Sequence, residues 1–443
     1  MNLAYQEKKL PFLKERKVKL ALETLGCKAN VYDSESIAAR CEQLGFEIVP
    51  FEKGADVYVV NTCTVTHAAD RSARNLLRKA HRLNKEALVI ATGCSGEMYP
   101  EQLRAIDGVD AVFGTSDRHQ LIEYLFKSFS PLEETPPSTL DDLVPYHQQR
   151  ARAYLKIQDG CDRRCTYCII WRARGKSVSK TIPELIQHTN ALVEAGYNEI
   201  VLTGIHIGSY GNDFDEKCKL SDLVKALLKH TDIKRIRLTS LDPEGVDDDI
   251  KHLLENEKRV CRYLHLSLQS ASNTVIKRMM RKTDSHQARK LVQSLDKHIP
   301  DMAISADIIA GFPGETEEEF LETKTFLEEA PLSWIHVFPF SAREGTAAAR
   351  RVDKLDPQVV KQRARELSAI AHQKREAFYA SLQGKICEAI VIDKRQGESG
   401  FTTAISDNDV PLLLAEKHLA HRSLCTVKVE KVEGLKVYGT CLE

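Results

Sequence analysis

Residues 160–168 read GCDRRCTYC and place three thiols, Cys161, Cys165 and Cys168, at the spacing C-x3-C-x2-C. The segment directly follows a strand-like run over residues 154–158. Three cysteines this close together can bind three irons of one cubane and leave the fourth iron open, which is what activating a small molecule requires. A zinc site or an electron-transfer cluster normally brings a fourth nearby ligand. The spacing therefore predicts an iron-sulfur cluster with one open position.

Outward from this stretch, apolar runs alternate with helical patterns. Residues 18 to about 125 predict a parallel sheet covered by helices. The predicted strands there are Val18–Thr24, Asp56–Asn61, Ala87–Thr92 and Ala111–Gly114, and the predicted helices are Asp33–Gly45 and Asp70–Asn84, each with an Asp as N-cap. From about residue 152 to 375 the alternation is longer and predicts a full or partial β/α barrel. Short β-rich runs after Gly384, at Lys385–Ile392, Thr402–Ile405, Cys425–Val432 and Gly434–Thr440, predict a small β-barrel.

A second set of thiols lies in the amino-terminal part of the chain. Cys27, Cys63 and Cys94 each follow one of the predicted strands directly. Because the carboxyl ends of parallel strands share one edge of a sheet, we expect the three to converge. The alternative is three unrelated buried thiols. The pattern favours a second three-cysteine cluster with an open position.

Composition places the chain among globular proteins. The 443 residues carry 63 basic and 63 acidic side chains, so the formal net charge is zero. The start of the chain is charged, and no apolar run reaches the roughly 18 residues of a membrane span. We therefore predict a cytoplasmic protein without membrane association, whose twelve cysteines are kept reduced rather than paired in a disulfide framework.

The central motif resembles the signature of radical S-adenosylmethionine (SAM) enzymes. The resemblance implies that Cys161, Cys165 and Cys168 ligate a 4Fe-4S cluster whose open iron binds SAM, and that one-electron cleavage of SAM yields a 5′-deoxyadenosyl radical. It also implies SAM contacts for four further residues: Tyr167 beside the adenine, Thr203 and Gly204 at a strand end, and Gln269.

The two cysteine sets together resemble the radical SAM methylthiotransferases over residues 18 to 443. That family joins an amino-terminal auxiliary-cluster domain, a radical SAM barrel and a carboxy-terminal TRAM barrel. The resemblance implies an auxiliary 4Fe-4S cluster on Cys27, Cys63 and Cys94. It implies the domain boundaries 18–127 for the auxiliary-cluster domain, 128–149 for a linker, 150–378 for the partial barrel and 380–443 for the TRAM-like barrel.

Residues 26–30 (GCKAN) and 61–66 (NTCTVT) resemble the branch of this family that modifies N6-threonylcarbamoyladenosine in tRNA. The implied reaction transfers a methylthio group to C2 of that nucleoside, next to the anticodon. Methylthiolation of isopentenyladenosine or of a ribosomal-protein aspartate is the alternative among enzymes. An iron-sulfur tRNA-binding protein is the alternative outside them. The implied partners are tRNA, a reducing electron donor and a sulfur donor of unassigned identity.

Local charge is uneven although the total is zero. Residues 150–180 hold nine basic and two acidic side chains, and residues 70–85 hold six basic and one acidic. Both runs flank the predicted cluster sites, where an approaching RNA backbone needs neutralising. A solvated helix face or electrostatic tuning of the clusters is the alternative explanation. No Asp, Glu or His stands out by its spacing as a general base.

Overall fold

The computed structural model describes residues 16–129, 150–393, 400–416 and 418–442. Two compact units emerge along the chain. The first contains the amino-terminal sheet together with residues 159–163 and 168–176, and the second contains the remaining described residues. The predicted linker 128–149 lies outside the described residues except for its first two positions. The predicted domain boundaries themselves stay predictions.

The first unit is built on a five-stranded parallel sheet of order β2-β1-β3-β4-β5. Its elements in chain order are β1 (Lys19–Thr24), α1 (Lys28–Gln43), β2 (Glu47–Ile48), a 3-10 turn (Phe51–Lys53), β3 (Val57–Thr62), α2 (His67–Leu83), β4 (Leu88–Gly93), α3 (Cys94–Met98), α4 (Pro100–Arg104), β5 (Ala111–Val112) and α5 (Arg118–Phe129).

Both faces of this sheet are buried, as a parallel sheet requires. Val57 and Val59 of β3 face a core that includes Ile37 of α1. Tyr58 of β3 points to the opposite face, where Leu77 of α2 lies. The alternation along β3 therefore packs helices on both sides and leaves the strand ends as the accessible edge.

Two helices begin earlier than the sequence predicts. α1 begins at Lys28 with Cys27 as its N-cap, so Asp33 lies inside the helix. α2 begins at His67, where the Thr66 hydroxyl accepts a hydrogen bond from Ala69 N at 3.2 Å. The prediction that Asp residues cap these helices is therefore wrong, because Thr66 caps α2 and the Asp33 carboxylate has arginine partners inside the fold.

The second unit contains a partial β/α barrel of six parallel strands. β6 (Arg152–Lys156), β9 (Glu199–Thr203) and β10 (Arg235–Arg237) form one sheet, and β11 (Tyr263–Gln269), β12 (Ala303–Ala310) and β13 (Trp334–Pro339) form another. Leu241, just after β10, joins the two sheets through hydrogen bonds with His265 O (2.9 Å) and Ser267 N (2.8 Å). β6 and β13 are the outer strands, which confirms the prediction of an incomplete barrel.

The other elements between residues 158 and 380 mostly cover or connect the barrel strands. They are β7 (Gln158–Asp159), α6 (Ile170–Ala173), β8 (Val178–Ser179), α7 (Ile182–Glu194), α8 (Leu220–His230), α9 (Asp248–Asn256), α10 (Asn273–Arg278), α11 (Ser285–His298), α12 (Glu317–Glu329), α13 (Pro357–Ala380), and 3-10 turns at Ile207–Ser209, Pro243–Gly245 and Ala348–Arg350.

The carboxy-terminal strands close into a small barrel of order β14-β15-β16-β18-β17. These strands are β14 (Ile386–Asp393), β15 (Thr402–Ser406), β16 (Pro411–Leu414), β17 (Leu424–Glu433) and β18 (Lys436–Leu442). The sequence analysis missed β16, a four-residue strand directly after a turn in which Asp409 has a φ of 63°. Together with the parallel sheet and the partial barrel, this closed barrel confirms the predicted fold class. No helix in the described part of the chain is long and apolar enough to cross a membrane.

A buried charge cluster lies at the beginning of the partial-barrel strands. The Glu199 side chain is fully buried at the start of β9 and pairs with Arg235 at 2.9 Å and Arg237 at 2.7 Å. Arg152 of β6 approaches the same carboxylate at 3.8 Å. Burial by itself would raise the pKa of Glu199, but the three guanidinium groups outweigh it and lower the pKa from 4.5 to about 2.

The stability that Glu199 contributes is expected to be lost on acidification. Because its folded pKa lies below its ordinary value, the contribution is complete above pH 4.5 and disappears as the pH falls towards about 2. The urea midpoint of the wild type should therefore fall more between about pH 5 and about pH 3 than that of Glu199→Gln, which cannot ionise. Equal decreases in the two proteins would contradict this assignment.

Candidate functional site

The three amino-terminal thiols lie at one edge of the five-stranded sheet. Cys27 follows β1, Cys63 follows β3, and Cys94 follows β4 directly. These three strands are neighbours in the sheet, and their registers place Thr24 beside Asn61 and Thr62 beside Gly93. The parallel topology therefore brings together residues that are far apart in the sequence, at the edge where open α/β sheets bind ligands.

Asn30 of α1 connects the loops that carry these thiols. Its Nδ2 donates to the backbone oxygens of Leu25 at 2.8 Å and Thr62 at 3.0 Å. Its Oδ1 accepts a hydrogen bond from the Cys94 Sγ at 3.8 Å. One buried amide thus contacts the loop after β1, the last residue of β3 and the thiol after β4.

Glycine is required before two of the thiols. Gly26 has a φ of 100°, and a Cβ there would lie 2.7 Å from the Cys63 Cβ and 2.8 Å from its Sγ. Gly93 has a φ of 92°, and a Cβ there would lie 2.2 Å from the Asn61 Oδ1. A side chain at either position would be strained and would displace the adjoining groups. The close approach of the Gly26 backbone to Cys63 shows that the first two thiol loops are in contact.

The thiols differ in exposure. Cys27 is exposed, whereas Cys63 and Cys94 are buried. Burial raises the pKa of the Cys94 thiol to about 12 and also raises that of Cys63, and the neighbouring Cys27 adds to both shifts. Metal binding must therefore displace protons from these two thiols.

Among the described residues, no three Cys, His, Asp or Glu side chains are placed to hold one metal ion. A four-iron cluster bonds each thiolate to a different iron, so its ligands stand farther apart than those of one zinc ion. Three cysteine thiols are the donor chemistry that iron-sulfur clusters use, so the residues present fit such a cluster.

Arg174 is a buried cation beside this thiol set. Its side chain is 1% exposed and pairs with Asp33 at 2.8 Å and with Asp159 at 2.7 Å. It also donates to the Asn30 Oδ1 at 2.5 Å. Its charge interacts favourably with the thiolate forms of Cys94 and Cys27. The arginine therefore fixes Asn30 and supplies positive charge where anionic sulfur would accumulate.

The central thiols lie in the loop between β7 and α6. Cys165 is buried, and Cys161 and Cys168 are partly exposed. In the first unit, Cys161 N donates to Gly175 O at 3.0 Å, and Ile170 N donates to the Cys168 Sγ at 3.4 Å. Hydrogen bonds of this second kind are among the factors that set the potential of a cluster.

Tyr167 is held in the second unit by a chain of polar contacts. Its hydroxyl accepts a hydrogen bond from Arg281 at 3.4 Å, and Arg281 also contacts the Asp242 carboxylate. Asp242 in turn pairs with His206 Nε2 at 2.8 Å. The Tyr167 ring packs against a buried cluster that includes Phe312. The ring orientation is thus fixed from both its hydroxyl end and its face.

Thr203 and Gly204 end β9 in a tightly packed turn. A Cβ on Gly204 would lie 2.7 Å from Gln158 O. The Gln158 Oε1 accepts hydrogen bonds from the backbone N–H groups of Ile205 at 3.1 Å and His206 at 3.0 Å. The Gln158 side chain therefore supports the backbone of the turn that the sequence analysis predicted to bind SAM.

Gln269 ends β11 in a strained conformation. Its φ is 69°, which is rare for a residue other than glycine, and the β11–β12 register shifts between Leu266 and Gln269. Residues held in such conformations cluster at ligand sites.

All four predicted SAM contacts lie either at the carboxyl ends of barrel strands or in the loop that carries the central thiols. The carboxyl ends of the strands are where barrel active sites occur.

The sequence analysis missed the polar residues that support these positions. In the sequence, Arg174 is only one member of a basic run, and Asp33 is predicted only as a helix cap. Asp242 and Arg281 were not singled out at all. Their partners are distant in the sequence, for example 144 residues between Arg174 and Asn30. The one local signal was the high density of basic residues after the central cysteines.

Comparison with known proteins identifies the family. The model named "Uncharacterized protein family UPF0004" matches residues 19–114, and the radical SAM superfamily model matches residues 155–327. The threonylcarbamoyladenosine tRNA methylthiotransferase MtaB of Bacillus subtilis (strain 168) is 38% identical over 401 residues, which cover 88% of each chain. The chain belongs to the radical SAM methylthiotransferase family. The predicted resemblance, including its MtaB-type branch, is therefore confirmed.

One further relative and one solved structure are also similar to this methylthiotransferase. A tRNA-2-methylthio-N(6)-dimethylallyladenosine synthase of Thermoanaerobacter sp. (strain X514) is 30% identical over 436 residues, covering 95% of this chain and 92% of that one. The solved structure of the radical SAM methyltransferase TsrM from Kitasatospora setae has a TM-score of 0.55 and 14% identity, with 75% and 77% of the two chains covered. The latter shows a shared fold. Family membership makes the protein a transferase and implies a 4Fe-4S cluster and SAM.

Proposed function

We propose that this methylthiotransferase transfers a methylthio group to C2 of N6-threonylcarbamoyladenosine next to the anticodon in tRNA. The observation that carries the proposal is the 38% identity to a relative named for that reaction, over 88% of both chains. The C2–H bond of adenosine has no acidic proton for a side chain to remove. Radical chemistry is therefore required, and the radical SAM domain supplies it.

The two thiol sets are proposed to hold two 4Fe-4S clusters. Cys161, Cys165 and Cys168 would ligate the cluster that binds SAM. Cys27, Cys63 and Cys94 at the sheet edge would ligate the auxiliary cluster, and the contacts of Asn30 and Gly26 support this set. When bound, the first cluster would supply the electron that cleaves SAM, and the second would hold the sulfur atom, whose methyl group would come from another SAM molecule.

The side chains around the loops are proposed to bind and orient SAM. Tyr167, held by Arg281, would lie against the adenine. The turn at Thr203 and Gly204, supported by Gln158, would bind the methionine end. Gln269 would contact SAM from the end of β11. The protein would further need a reducing electron donor and a source of sulfur.

The test is nucleoside analysis of tRNA from cells with and without the gene. We expect 2-methylthio-N6-threonylcarbamoyladenosine in the first and only the unmethylthiolated nucleoside in the second, measured by mass spectrometry. Purified, anaerobically reconstituted protein should form the same product on the tRNA of the deletion strain. Identical tRNA nucleosides in the two strains would sink the proposal.

Methylthiolation of N6-dimethylallyladenosine is the second candidate. The observation that favours it is the relative from Thermoanaerobacter, whose 30% identity covers nearly the whole chain. The same tRNA digest separates the two, because the two methylthio products differ in mass. A modified ribosomal-protein aspartate would instead leave both nucleosides unchanged. The non-enzymatic alternative is not retained, because the family relatives are transferases.

A further inference from the structure

One face of α2 carries a regular row of cations. Arg71, Arg74, Arg78, Arg82 and Lys85 recur at spacings of three or four residues, four of them on α2 and Lys85 just beyond its end. At 3.6 residues per turn the four arginines on the helix lie within about 80° around its axis, and from Arg71 to Arg82 they extend over about 16 Å. We call these five residues the α2 basic row.

The row is exposed and not neutralised by the protein. Four of its members are exposed and Arg74 is partly exposed, while the opposite side of the helix packs on the sheet through Leu77 and Ala80. In the part of the chain that the structure describes, no carboxylate pairs with Arg71, Arg74, Arg78 or Arg82. The neighbouring Lys79, outside the row, does pair with Glu52 at 2.7 Å.

The other basic run of the sequence, residues 150–180, differs because several of its cations pair with carboxylates of the protein. Within residues 150–180, Arg174 is bound by Asp33 and Asp159, Arg152 by Asp409 at 2.8 Å, and Lys180 contacts Glu184 at 2.5 Å. Part of that run therefore serves the internal structure. The α2 row instead presents its positive charge at the surface, although like charges three or four residues apart destabilise a helix.

The row begins beside the auxiliary thiol set. α2 starts at His67, four residues after Cys63, and its N-cap Thr66 belongs to the same loop. Val65 in this loop is 51% exposed, so the loop between Cys63 and the row is accessible to solvent at this residue. A ligand that binds along the row would therefore extend to the end of the sheet that carries Cys27, Cys63 and Cys94.

We propose that the α2 basic row binds the phosphodiester backbone of the substrate tRNA beside the nucleotide that reacts. Guanidinium groups bind phosphate oxygens through paired hydrogen bonds, and unpaired arginines along one side of a helix suit a run of phosphates. The inference rests on the proposed function, because it takes the RNA to be the substrate. It adds the surface that holds the RNA backbone.

The test compares two charge-matched variants in tRNA binding at several salt concentrations. One carries Arg71→Gln, Arg74→Gln, Arg78→Gln and Arg82→Gln. The control carries Lys290→Gln, Lys297→Gln, Lys361→Gln and Arg365→Gln, which neutralise exposed residues on α11 and α13. Glutamine preserves helix propensity, so both variants should fold, as circular dichroism can verify.

The α2 variant should bind tRNA about 100-fold more weakly near 0.1 M salt, and the slope of log K against log salt should decrease by about three. The control variant should show little change in tRNA affinity or in the salt slope. Equal weakening in both variants would overturn the proposal, since it would show only the loss of net charge. Wild-type binding by the α2 variant would overturn it too. Neither result depends on catalysis, so a wild type that methylthiolates no tRNA would refute the proposed function separately.

Discussion

A Cys27→Ala/Cys63→Ala/Cys94→Ala variant should still cleave SAM to 5′-deoxyadenosine while losing methylthio transfer to tRNA by more than about 100-fold. Loss of even an outer-shell partner of a metal site costs 10- to 100-fold, and here the proposed ligands themselves are removed. SAM cleavage should persist because it depends on the separate Cys161, Cys165 and Cys168 set. Both products are measured by chromatography with mass detection on the anaerobically reconstituted protein.

Two further variants make this prediction specific. Cys41→Ala removes a fully buried thiol from the core of the same sheet, and it should keep both activities. The Cys161→Ala/Cys165→Ala/Cys168→Ala variant should lose both. Methylthio product from the amino-terminal triple variant, or loss of activity in Cys41→Ala equal to that in the triple variant, would contradict the assignment of the sheet edge.

Replacing Arg174 by methionine is expected to destabilise the first unit strongly. The change leaves Asp33, whose side chain is 5% exposed, without one of its two arginine partners, and it deprives Asp159 and Asn30 of a donor. Removing one partner of a buried ion pair costs about 3 to 5 kcal/mol. A loss of about 3 kcal/mol should lower the thermal midpoint of a unit of this size by roughly 6 to 12 °C.

The matched control is Arg104→Met on α4. Arg104 also pairs with a carboxylate, but its partner Glu101 is 83% exposed, and such surface pairs contribute about 0 to 1 kcal/mol. Differential scanning calorimetry of the metal-free proteins compares the two without any contribution from bound clusters. A midpoint of Arg174→Met within about 2 °C of that of Arg104→Met would show that the buried network does not stabilise the fold.

The sheet-edge thiols could be predicted because topology alone brings them together. A parallel strand pattern makes the residues after successive strands neighbours, so Cys27, Cys63 and Cys94 could be grouped without side-chain detail. The expectation that Thr203 and Gly204 contact SAM depends instead on the resemblance to radical SAM enzymes. The short strand β16 escaped because four residues carry too little periodicity to distinguish a strand from a turn.

The supporting polar residues could not be predicted from local pattern. Asp33 looked like a helix cap, since Asp is favoured there, and only the folded chain shows that Arg174 and Arg118 bind it instead. The cluster around Glu199 likewise joins residues from three separate strands. Such networks depend on long-range packing, which sequence periodicity does not encode.

The most direct test of the account is the iron and acid-labile sulfide content after anaerobic reconstitution, with Mössbauer spectroscopy to identify the cluster type. The wild type should hold about eight iron atoms per chain as two 4Fe-4S clusters, and each cysteine triple variant about four. About four iron atoms in the wild type with no further loss in the amino-terminal variant, or zinc in place of iron, would contradict it.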